Sequence, residues 1–316
     1  MSKTSKTLEF SDNHQAVLLF GMNDENLMHL EKELGISIAH RGNHLNLSGE
    51  DEAIAKAANV LNTLWEDLND DEAVKPSDID STLRFLNEKN GHRQMNAPKG
   101  KINIKTKKKD IKPRSPNQAH YLDLIADNEM VFGLGPAGTG KTYLAVAMGV
   151  SAFLKGNIER LIFCRPAVEA GENLGFLPGD MKEKVDPYLR PIYDALSDML
   201  PMDFMLKKME SGEIEVAPLA FMRGRTLSNA FVILDEAQNA TPTQMKMFLT
   251  RLGENSQMVV TGDLTQTDLP KGMKSGLRDA CETLEHVDEI SFHHFSAGDV
   301  VRHKLVSKIV DAYENG

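Results

Sequence analysis

Residues 130–143, Met-Val-Phe-Gly-Leu-Gly-Pro-Ala-Gly-Thr-Gly-Lys-Thr-Tyr, contain the pattern G-x-x-x-x-G-K-T from Gly135 to Thr142. Its glycines permit a tight turn in which several backbone N–H groups converge on a polyphosphate. Lys141 is expected to reach the β- and γ-phosphates of ATP, and the Thr142 hydroxyl to bind Mg²⁺. The flanking residues predict a buried parallel strand at 130–134 and a helix at 143–154, which is the context that such a loop needs. The predicted nucleotide-binding residues are Gly135, Pro136, Ala137, Gly138, Thr139, Gly140, Lys141 and Thr142.

Length and composition indicate an ordinary soluble globular protein of about two domains, since 41% of its 316 residues are hydrophobic and 26% are charged. The first ten residues lack the apolar core of a signal peptide, and the chain lacks an uninterrupted apolar run near membrane-spanning length. We therefore expect a cytoplasmic protein without a membrane partner. Cys164 and Cys281 lie far apart and have no metal-ligand spacing, which favours two reduced thiols.

Charge is segregated along the chain, although the net charge is −10. Residues 92–114 hold nine basic residues and one acid, whereas residues 1–91 hold 17 acids and eight basic residues. With its scattered Gly and Pro, the basic segment predicts an exposed, partly flexible linker containing at most a brief edge strand at 102–104. Its lysines either are simply solvated or contact RNA phosphates.

The first 90 residues predict a small α+β domain. The apolar patterns predict strands at 17–20, 36–38 and 45–47, and helices at 25–34, 51–68 and 79–87. Trp65 lies on the apolar stripe of the second helix, which favours a place in the core.

The segment from Leu19 to Ile38, followed by Leu-Asn-Leu-Ser-Gly and an alanine-rich helix, resembles a KH domain, a module that binds single-stranded RNA. Where a KH domain has the G-x-x-G loop that clamps the nucleic-acid backbone, this chain has Gly21-Met22-Asn23-Asp24. An acid replaces the second glycine and is expected to repel phosphate. Both a true RNA-binding domain and a domain used for protein contacts or weak RNA contacts are compatible with this pattern.

A second motif, Phe231-Val-Ile-Leu-Asp235-Glu236-Ala-Gln238, places two acids at the end of a buried strand. Asp235 suits Mg²⁺ binding, and Glu236 is the predicted base that polarises the attacking water. Adjacent carboxylates are costly unless a cation shares them. The pair favours hydrolysis of the nucleotide over transfer of its phosphoryl group to another acceptor.

Three further side chains are candidates for the same site. Gln118, upstream of the phosphate loop, offers the amide donor and acceptor that match an adenine edge. Gln266, or Asp263 before it, follows a predicted strand and is a candidate sensor of the γ-phosphate. Arg302 is either an arginine finger or an arginine on a helix surface.

Other arginines also fall at predicted strand ends. Arg165 follows the strand at 160–164, so it is expected on the ligand-binding edge of the sheet. Arg223 and Arg225 flank a glycine turn, where they either bind phosphate or form surface salt bridges.

Together with the phosphate loop, the ordered motifs Arg165-Pro-Ala-Val-Glu-Ala-Gly-Glu, Gly175-Phe-Leu-Pro-Gly-Asp, Arg223-Gly-Arg-Thr, Asp235-Glu-Ala-Gln, Thr261-Gly-Asp-Leu-Thr-Gln and Asp299-Val-Val-Arg resemble the PhoH-like family of ATPases over residues 110–316. With the KH-like N-terminus, the resemblance points to the bacterial PhoL/YbeZ branch. It implies a RecA-like P-loop NTPase domain with a mainly parallel sheet, preceded by a small α+β KH-like domain. It also implies ATP and Mg²⁺ as ligands, and a role in RNA metabolism and ribosomal RNA maturation beside the endoribonuclease YbeY.

The predicted organisation is a KH-like domain at 1–90, a basic linker at 91–112 and an ATPase domain at 113–316. Helicases of the related superfamily close two RecA-like lobes on one ATP, whereas this chain supplies a single lobe. We therefore expect a homo-oligomer, a hexameric ring in the simplest case, in which Arg302 serves the ATP of a neighbouring subunit. The leading function is an ATPase coupled to RNA remodelling. The alternatives are a nucleotide-switched protein scaffold and, with less support, a kinase.

Overall fold

The computed structural model describes residues 4–68, 73–89, 103–166, 181–270 and 272–301, with 305–306, 309 and 312–313. The chain forms two compact units, which are residues 1–97 with 114–116 and residues 98–113 with 117–316. None of the helices in the described part of the chain is long and apolar enough to span a membrane.

The N-terminal unit combines a small antiparallel sheet with four helices. Its elements are β1 (Thr4–Glu9), α1 (Asn13–Phe20), α2 (Glu25–Leu34), β2 (Ser37–Arg41), β3 (His44–Gly49), α3 (Asp51–Glu66) and α4 (Pro76–Lys89). The sheet has the order β1-β3-β2. Leu45 and Leu47 of β3 are fully buried, as are Ala57 and Ala58 of α3, so one face of the sheet and the apolar stripe of α3 contribute to the same core.

The prediction of a strand at residues 17–20 was wrong, because these residues end helix α1. The Asp12 carboxylate accepts hydrogen bonds from the backbone N–H groups of His14 and Gln15, which caps the helix. Ala16, Leu19 and Phe20 are buried at helical spacing while Val17 is exposed. A four-residue apolar run fits either a strand or a buried helix segment, so the cap at Asp12 was the informative signal.

The second unit is a doubly wound α/β domain around a six-stranded sheet of order β11-β6-β10-β9-β7-β8, in which every pairing is parallel. Its elements are β4 (Ile104–Lys105), β5 (Asp110–Ile111), α5 (Pro116–Asp127), β6 (Met130–Leu134), α6 (Lys141–Leu154), β7 (Arg160–Arg165), α7 (Met181–Met199), α8 (Met202–Glu210), β8 (Ile214–Pro218), β9 (Ala230–Leu234), α9 (Pro242–Leu249), β10 (Gln257–Gly262), α10 (Gly276–Leu284) and β11 (Ile290–His294).

Helices cover both faces of this sheet, and the side chains of β9 show how. Phe231 and Ile233 are buried in a core shared with α5, α6 and α7, whereas Val232 and Leu234 are buried in a core shared with α9 and α10. Alternation along a strand that is buried on both sides produces the continuous apolar run seen in the sequence. The predicted α/β fold class is confirmed, with a parallel sheet preceded by a small α+β unit.

Residues 103–112 differ from the exposed, flexible segment that their composition predicted. They form a hairpin from β4 and β5, and Ile104 and Ile111 are buried in the core shared with α6 and α7. The backbone N–H of Lys108 donates to the Met199 carbonyl at 3.2 Å, and its ammonium donates to the Ser197 carbonyl at 2.6 Å. Two isoleucines in a lysine-rich stretch are enough to anchor it, because only one apolar residue per strand has to be buried.

Candidate nucleotide-binding site

The phosphate loop joins the carboxyl end of β6 to the start of α6, as the sequence predicted. Gly135, Gly138 and Gly140 have φ values of 146°, 84° and 83°, which L side chains rarely adopt. A Cβ atom on Gly135 would lie 2.7 Å from both the Cβ and the carbonyl oxygen of Phe295. Glycine at 135 is therefore required by the backbone conformation and by the close approach of Phe295.

Three contacts from separate parts of the unit hold this loop. The Gly135 N–H donates to the Gly262 carbonyl at 3.0 Å, and the Val301 N–H donates to the Gly138 carbonyl at 2.9 Å. The Gln118 side-chain Nε2 donates to the Thr139 carbonyl at 2.9 Å. The loop is thus fixed by β10, by the segment after β11 and by α5. Gln118 is 3% exposed, and its position against the loop gives it a structural contact besides the predicted one to adenine.

Lys141 begins α6, where its charge is near the backbone N–H groups of the helix N-terminus. Its ammonium donates to the Pro136 carbonyl at 3.1 Å, and the Thr139 hydroxyl donates to the same carbonyl at 3.0 Å. The lysine therefore lies across the loop that it is predicted to serve.

The two predicted metal ligands are brought together. The Thr142 hydroxyl donates to Asp235 Oδ1 at 2.6 Å, and the Thr261 hydroxyl donates to the same oxygen at 2.8 Å. Asp235 is 3% exposed. A hydroxyl and a carboxylate oxygen at the foot of a phosphate loop are hard oxygen ligands that suit Mg²⁺, so the residues present fit a Mg²⁺–nucleotide complex. The role of Thr261 was missed, because sequence spacing does not reveal a contact between strands.

Glu236 has a left-handed backbone conformation, with φ 53° and ψ 40°. Such a conformation is uncommon for glutamate and is often found where function fixes the backbone. Its carboxylate is contacted from two sides, by Arg165 Nη2 at 3.2 Å and by Gln238 Nε2 at 2.5 Å. The predicted base is therefore oriented by a cation and an amide.

Gln238 also links Glu236 to the end of β10. Its side-chain Oε1 accepts from the Asp263 backbone N–H at 3.1 Å. Asp263 Oδ1 in turn accepts from the Thr265 N–H and hydroxyl, at 2.8 and 2.7 Å. The structure thus connects Asp263 to the predicted base, while Gln266 lies exposed three residues later. Gln238 was quoted in the sequence motif without a role, and its contact could not be predicted because it depends on a turn between strands.

An aromatic cluster next to the loop includes His293 of β11 and Phe295, which follows this strand. His293 stacks on Tyr121 with ring centroids 5.3 Å apart and makes an edge contact with Phe295 at 4.6 Å. Burial, with a smaller contribution from His120, lowers the pKa of His293 to about 4. Burial also raises the pKa of the Tyr121 hydroxyl above its ordinary value. Both side chains are therefore uncharged at neutral pH.

The remaining arginines have different outcomes. Arg225 forms two parallel hydrogen bonds to Glu215, at 2.6 and 2.7 Å, so it takes the salt-bridge alternative that the sequence left open. Arg302 lies outside the described residues, and its predicted role as an arginine finger stays a prediction.

This chain is similar to known proteins over most of its length. Residues 110–314 match the family model described as PhoH-like protein. The chain belongs to the PhoH-like family. It is 49% identical over 300 residues to the PhoH-like protein of Bacillus subtilis (strain 168), covering 95% of this chain and 94% of that protein. It is 45% identical to the PhoH-like protein of Synechocystis sp., covering 99% of this chain and 96% of that protein.

Two further similarities cover less of the chain. Protein PhoH of Escherichia coli (strain K12) is 48% identical over 205 residues, which are 64% of this chain and 58% of that protein. A crystal structure of Pif1 helicase from Candida albicans aligns with a TM-score of 0.34 at 16% identity, over 64% of this chain and 43% of that one. The PhoH-like relatives from Bacillus and Synechocystis thus extend through the N-terminal unit, whereas the Escherichia coli match covers about two thirds of the chain.

Proposed function

We propose that this PhoH-like protein hydrolyses ATP with Mg²⁺ and couples hydrolysis to the binding or remodelling of RNA. The observation that carries the proposal is the 2.6 Å contact between the Thr142 hydroxyl and Asp235, directly beside the oriented carboxylate of Glu236. One predicted metal ligand at the start of α6 thus contacts the other, which follows β9 and directly precedes the predicted base. An ATPase requires both the metal ligands and the base.

Each residue has a defined part in the proposed reaction. The glycine loop and Lys141 bind the phosphates, and Thr142 and Asp235 hold Mg²⁺, which when bound neutralises charge on the phosphate oxygens. Glu236 orients a water molecule and accepts its proton as the water oxygen bonds to the terminal phosphorus and the bond to ADP breaks. Gln238 and Arg165 keep the Glu236 carboxylate in place.

The basic hairpin supports the RNA part of the proposal. Its lysines at 105, 107, 108, 109 and 112 are exposed even though three of them contact α7 or α8. An ordered row of cations costs less conformational entropy on binding a phosphate backbone than a flexible tail would. The resemblance of the N-terminal unit to a KH domain is the second support.

One observation favours the alternative of a nucleotide-switched protein scaffold. The loop at Gly21–Asp24 is followed at once by Glu25, so two acids stand at the start of α2. Acids at a helix N-terminus counter the attraction that this end has for phosphate. A domain with that loop is better suited to a protein than to an RNA backbone.

The deciding experiment is steady-state phosphate release with ATP and Mg²⁺, with and without single-stranded RNA. Glu236→Gln is the control for contaminating ATPases, and we expect it to bind ATP while hydrolysing it about 10²–10⁴-fold more slowly. Stimulation by RNA supports the coupled ATPase. Hydrolysis that is indifferent to RNA supports the scaffold, and near-normal turnover by Glu236→Gln contradicts the role of Glu236 as base.

The hairpin has its own test. We expect the double variant Lys105→Glu, Lys112→Glu to weaken RNA binding and flatten its salt dependence, because both lysines are exposed. Lys155→Glu, at an exposed position after α6, is the matched control. Equal RNA affinity for both proteins would remove the hairpin from the proposed interface.

The proposed assembly is a ring in which one subunit completes the site of the next. Sedimentation with Mg²⁺ and nucleotide measures it directly. A monomer with full RNA-stimulated hydrolysis would contradict the ring and the expected part of Arg302 in it.

A further inference from the structure

Arg165 lies beside the two acids of the site because of the register between neighbouring strands. It ends β7, and Cys164 pairs with Leu234 of β9. The Asp235 N–H extends this ladder by donating to the Cys164 carbonyl at 2.9 Å. Arg165 is therefore held by a parallel pairing at the same level as Asp235, and its placement does not depend on a loop.

Among the described residues, the Arg165 side chain lies near two carboxylates. Arg165 Nη2 is 3.2 Å from Glu236 Oε1, and Arg165 Nε is 3.8 Å from Asp235 Oδ2. The side chain is only 19% exposed, so these interactions are weakly screened by water.

Arg225 shows what a purely structural pair looks like in the same protein. Its two guanidinium nitrogens approach the two oxygens of Glu215 at 2.6 and 2.7 Å, which is the short, parallel geometry of a strong pair. The approaches of Arg165 to Asp235 and Glu236 are longer, at 3.8 and 3.2 Å. Lengthening either of these two contacts therefore costs less than breaking the Arg225 pair.

The terminal phosphate of bound ATP would be a further acceptor for the Arg165 side chain. Asp235 and Glu236 are adjacent acids, and Gln238 links Glu236 to the backbone N–H of Asp263. The triphosphate of ATP would add more negative charge. Lys141 serves the β- and γ-phosphates from the loop side. Besides Lys141 and Mg²⁺, a further cation at the terminal phosphate would stabilise the charge that develops there during hydrolysis.

We propose that Arg165 is the arginine, supplied by the same chain, that contacts the terminal phosphate of ATP while positioning Glu236. This inference rests on the proposed ATP hydrolysis and adds the residue that distinguishes ATP from ADP. It also means that discrimination between the two nucleotides arises within one chain, whatever Arg302 of a neighbouring subunit contributes to turnover.

The test is the ratio of affinities for ADP and a non-hydrolysable ATP analogue, measured with Mg²⁺ by displacement of a fluorescent nucleotide. For Arg165→Ala we expect the affinity for the ATP analogue to fall about ten- to hundredfold, because one charge-assisted contact is lost. Affinity for ADP stays within about twofold, since the missing contact is to the terminal phosphate. Arg165→Lys keeps a charge without the planar fork, and an intermediate ratio is expected.

Arg160 at the opposite end of β7 is the matched control, because it donates to the Ser228 carbonyl, away from the site. Arg160→Ala should keep the wild-type ratio. A parallel loss of both nucleotides in the Arg165 variants, or no loss in either, overturns the proposal. If Arg165→Ala does not fold by circular dichroism, Arg165→Lys decides by the same criterion. A wild-type protein that binds no ATP analogue overturns the proposed function as well.

Discussion

Two loops in this molecule turn through positive φ angles into the start of a helix, and they differ in charge. Gly135–Thr142 uses glycines for its turns and begins α6 with Lys141. Gly21–Asp24 has only one glycine, so Asn23 and Asp24 adopt φ values of 53° and 60°, and α2 begins with Glu25. The first loop gives a phosphate both N–H groups and a cation. The second offers a similar turn with acids in front of it.

The comparison teaches that backbone shape and side-chain charge are separate requirements of an anion site. A helix N-terminus attracts phosphate through its unpaired N–H groups. Asp24 and Glu25 oppose that attraction, whereas Lys141 adds to it. Asp24 also pairs with His40, with Oδ2 and Nε2 3.0 Å apart. Asp24 and Glu25 thus make the loop of the N-terminal unit better suited to bind a cation or a protein than a phosphate.

The largest expected effect comes from removing the cation of the first loop. Lys141→Ala should abolish nucleotide binding, because glycines alone do not neutralise the β- and γ-phosphates. Isothermal titration with ATP and Mg²⁺ measures this. Lys155→Ala, at the other end of α6, is the control that should bind normally. Strong binding by Lys141→Ala would mean that backbone N–H groups suffice, and the comparison between the loops would fail.

The second-largest expected effect comes from disturbing the backbone conformation of the first loop. Gly135→Ala places a Cβ atom 2.7 Å from the Phe295 carbonyl, whereas Gly156→Ala, also at positive φ, meets nothing within 4 Å. We expect Gly135→Ala to lower the free energy of unfolding by about 2 kcal/mol more than Gly156→Ala. Chemical denaturation of both variants measures the difference. Equal destabilisation would show that the close approach of Phe295 carries no cost.

Substitutions at Asp24 can make the second loop more like the first. Asp24→Gly restores a second glycine and removes an acid, and Asp24→Asn removes only the charge. We expect single-stranded RNA affinity to rise about three- to tenfold for Asp24→Gly and less for Asp24→Asn, as measured by fluorescence anisotropy at fixed salt. If all three proteins bind RNA equally, this loop does not contact RNA.

The last expected effect is the pH dependence of the aromatic cluster next to the first loop. Burial is the main cause that lowers the pKa of His293 from its ordinary value of about 6.5 to about 4. The unfolded chain therefore binds this proton more readily. The stabilisation from neutral His293 is complete above about pH 6.5 and is lost as the pH falls toward 4.

Unfolding free energies between these pH values, for the wild type and His293→Phe, measure this effect. We expect the unfolding of His293→Phe to be coupled to the uptake of up to about one proton fewer than that of the wild type, so that its unfolding free energy changes less steeply with pH. Ser291→Ala, in the same strand, is the control because it removes no titratable group. Identical slopes for all three proteins would mean that His293 protonates without cost.

The sequence predicted the elements of the sheet well because their signals are local. The stretches at 130–134, 231–234 and 257–262 each contain at least three consecutive apolar residues, which is the pattern of a strand buried on both faces. The same locality explains why Thr142 and Asp235 could be assigned to one site, since parallel strands carry their functional residues at one edge.

The contacts that the sequence did not predict all depend on register or on distant packing. Thr261 reaches Asp235 because β10 lies between β6 and β9. Gln238 reaches both Glu236 and Asp263 through a turn whose geometry follows from the left-handed Glu236. The hairpin at 104–111 was missed because its two isoleucines are buried in a core shared with α6 and α7, and because Lys108 contacts Ser197, 89 residues later.

The left-handed backbone of Glu236 lowers the stability of the fold at a residue that the proposed activity requires. A left-handed conformation costs a glutamate roughly 1 kcal/mol relative to glycine, and this conformation is φ 53°, ψ 40° here. Selection for thermal tolerance alone would therefore favour replacing this glutamate by glycine, which removes the carboxylate that Arg165 and Gln238 orient. A glutamate retained here in heat-adapted variants would show that catalysis outweighs the gain in stability.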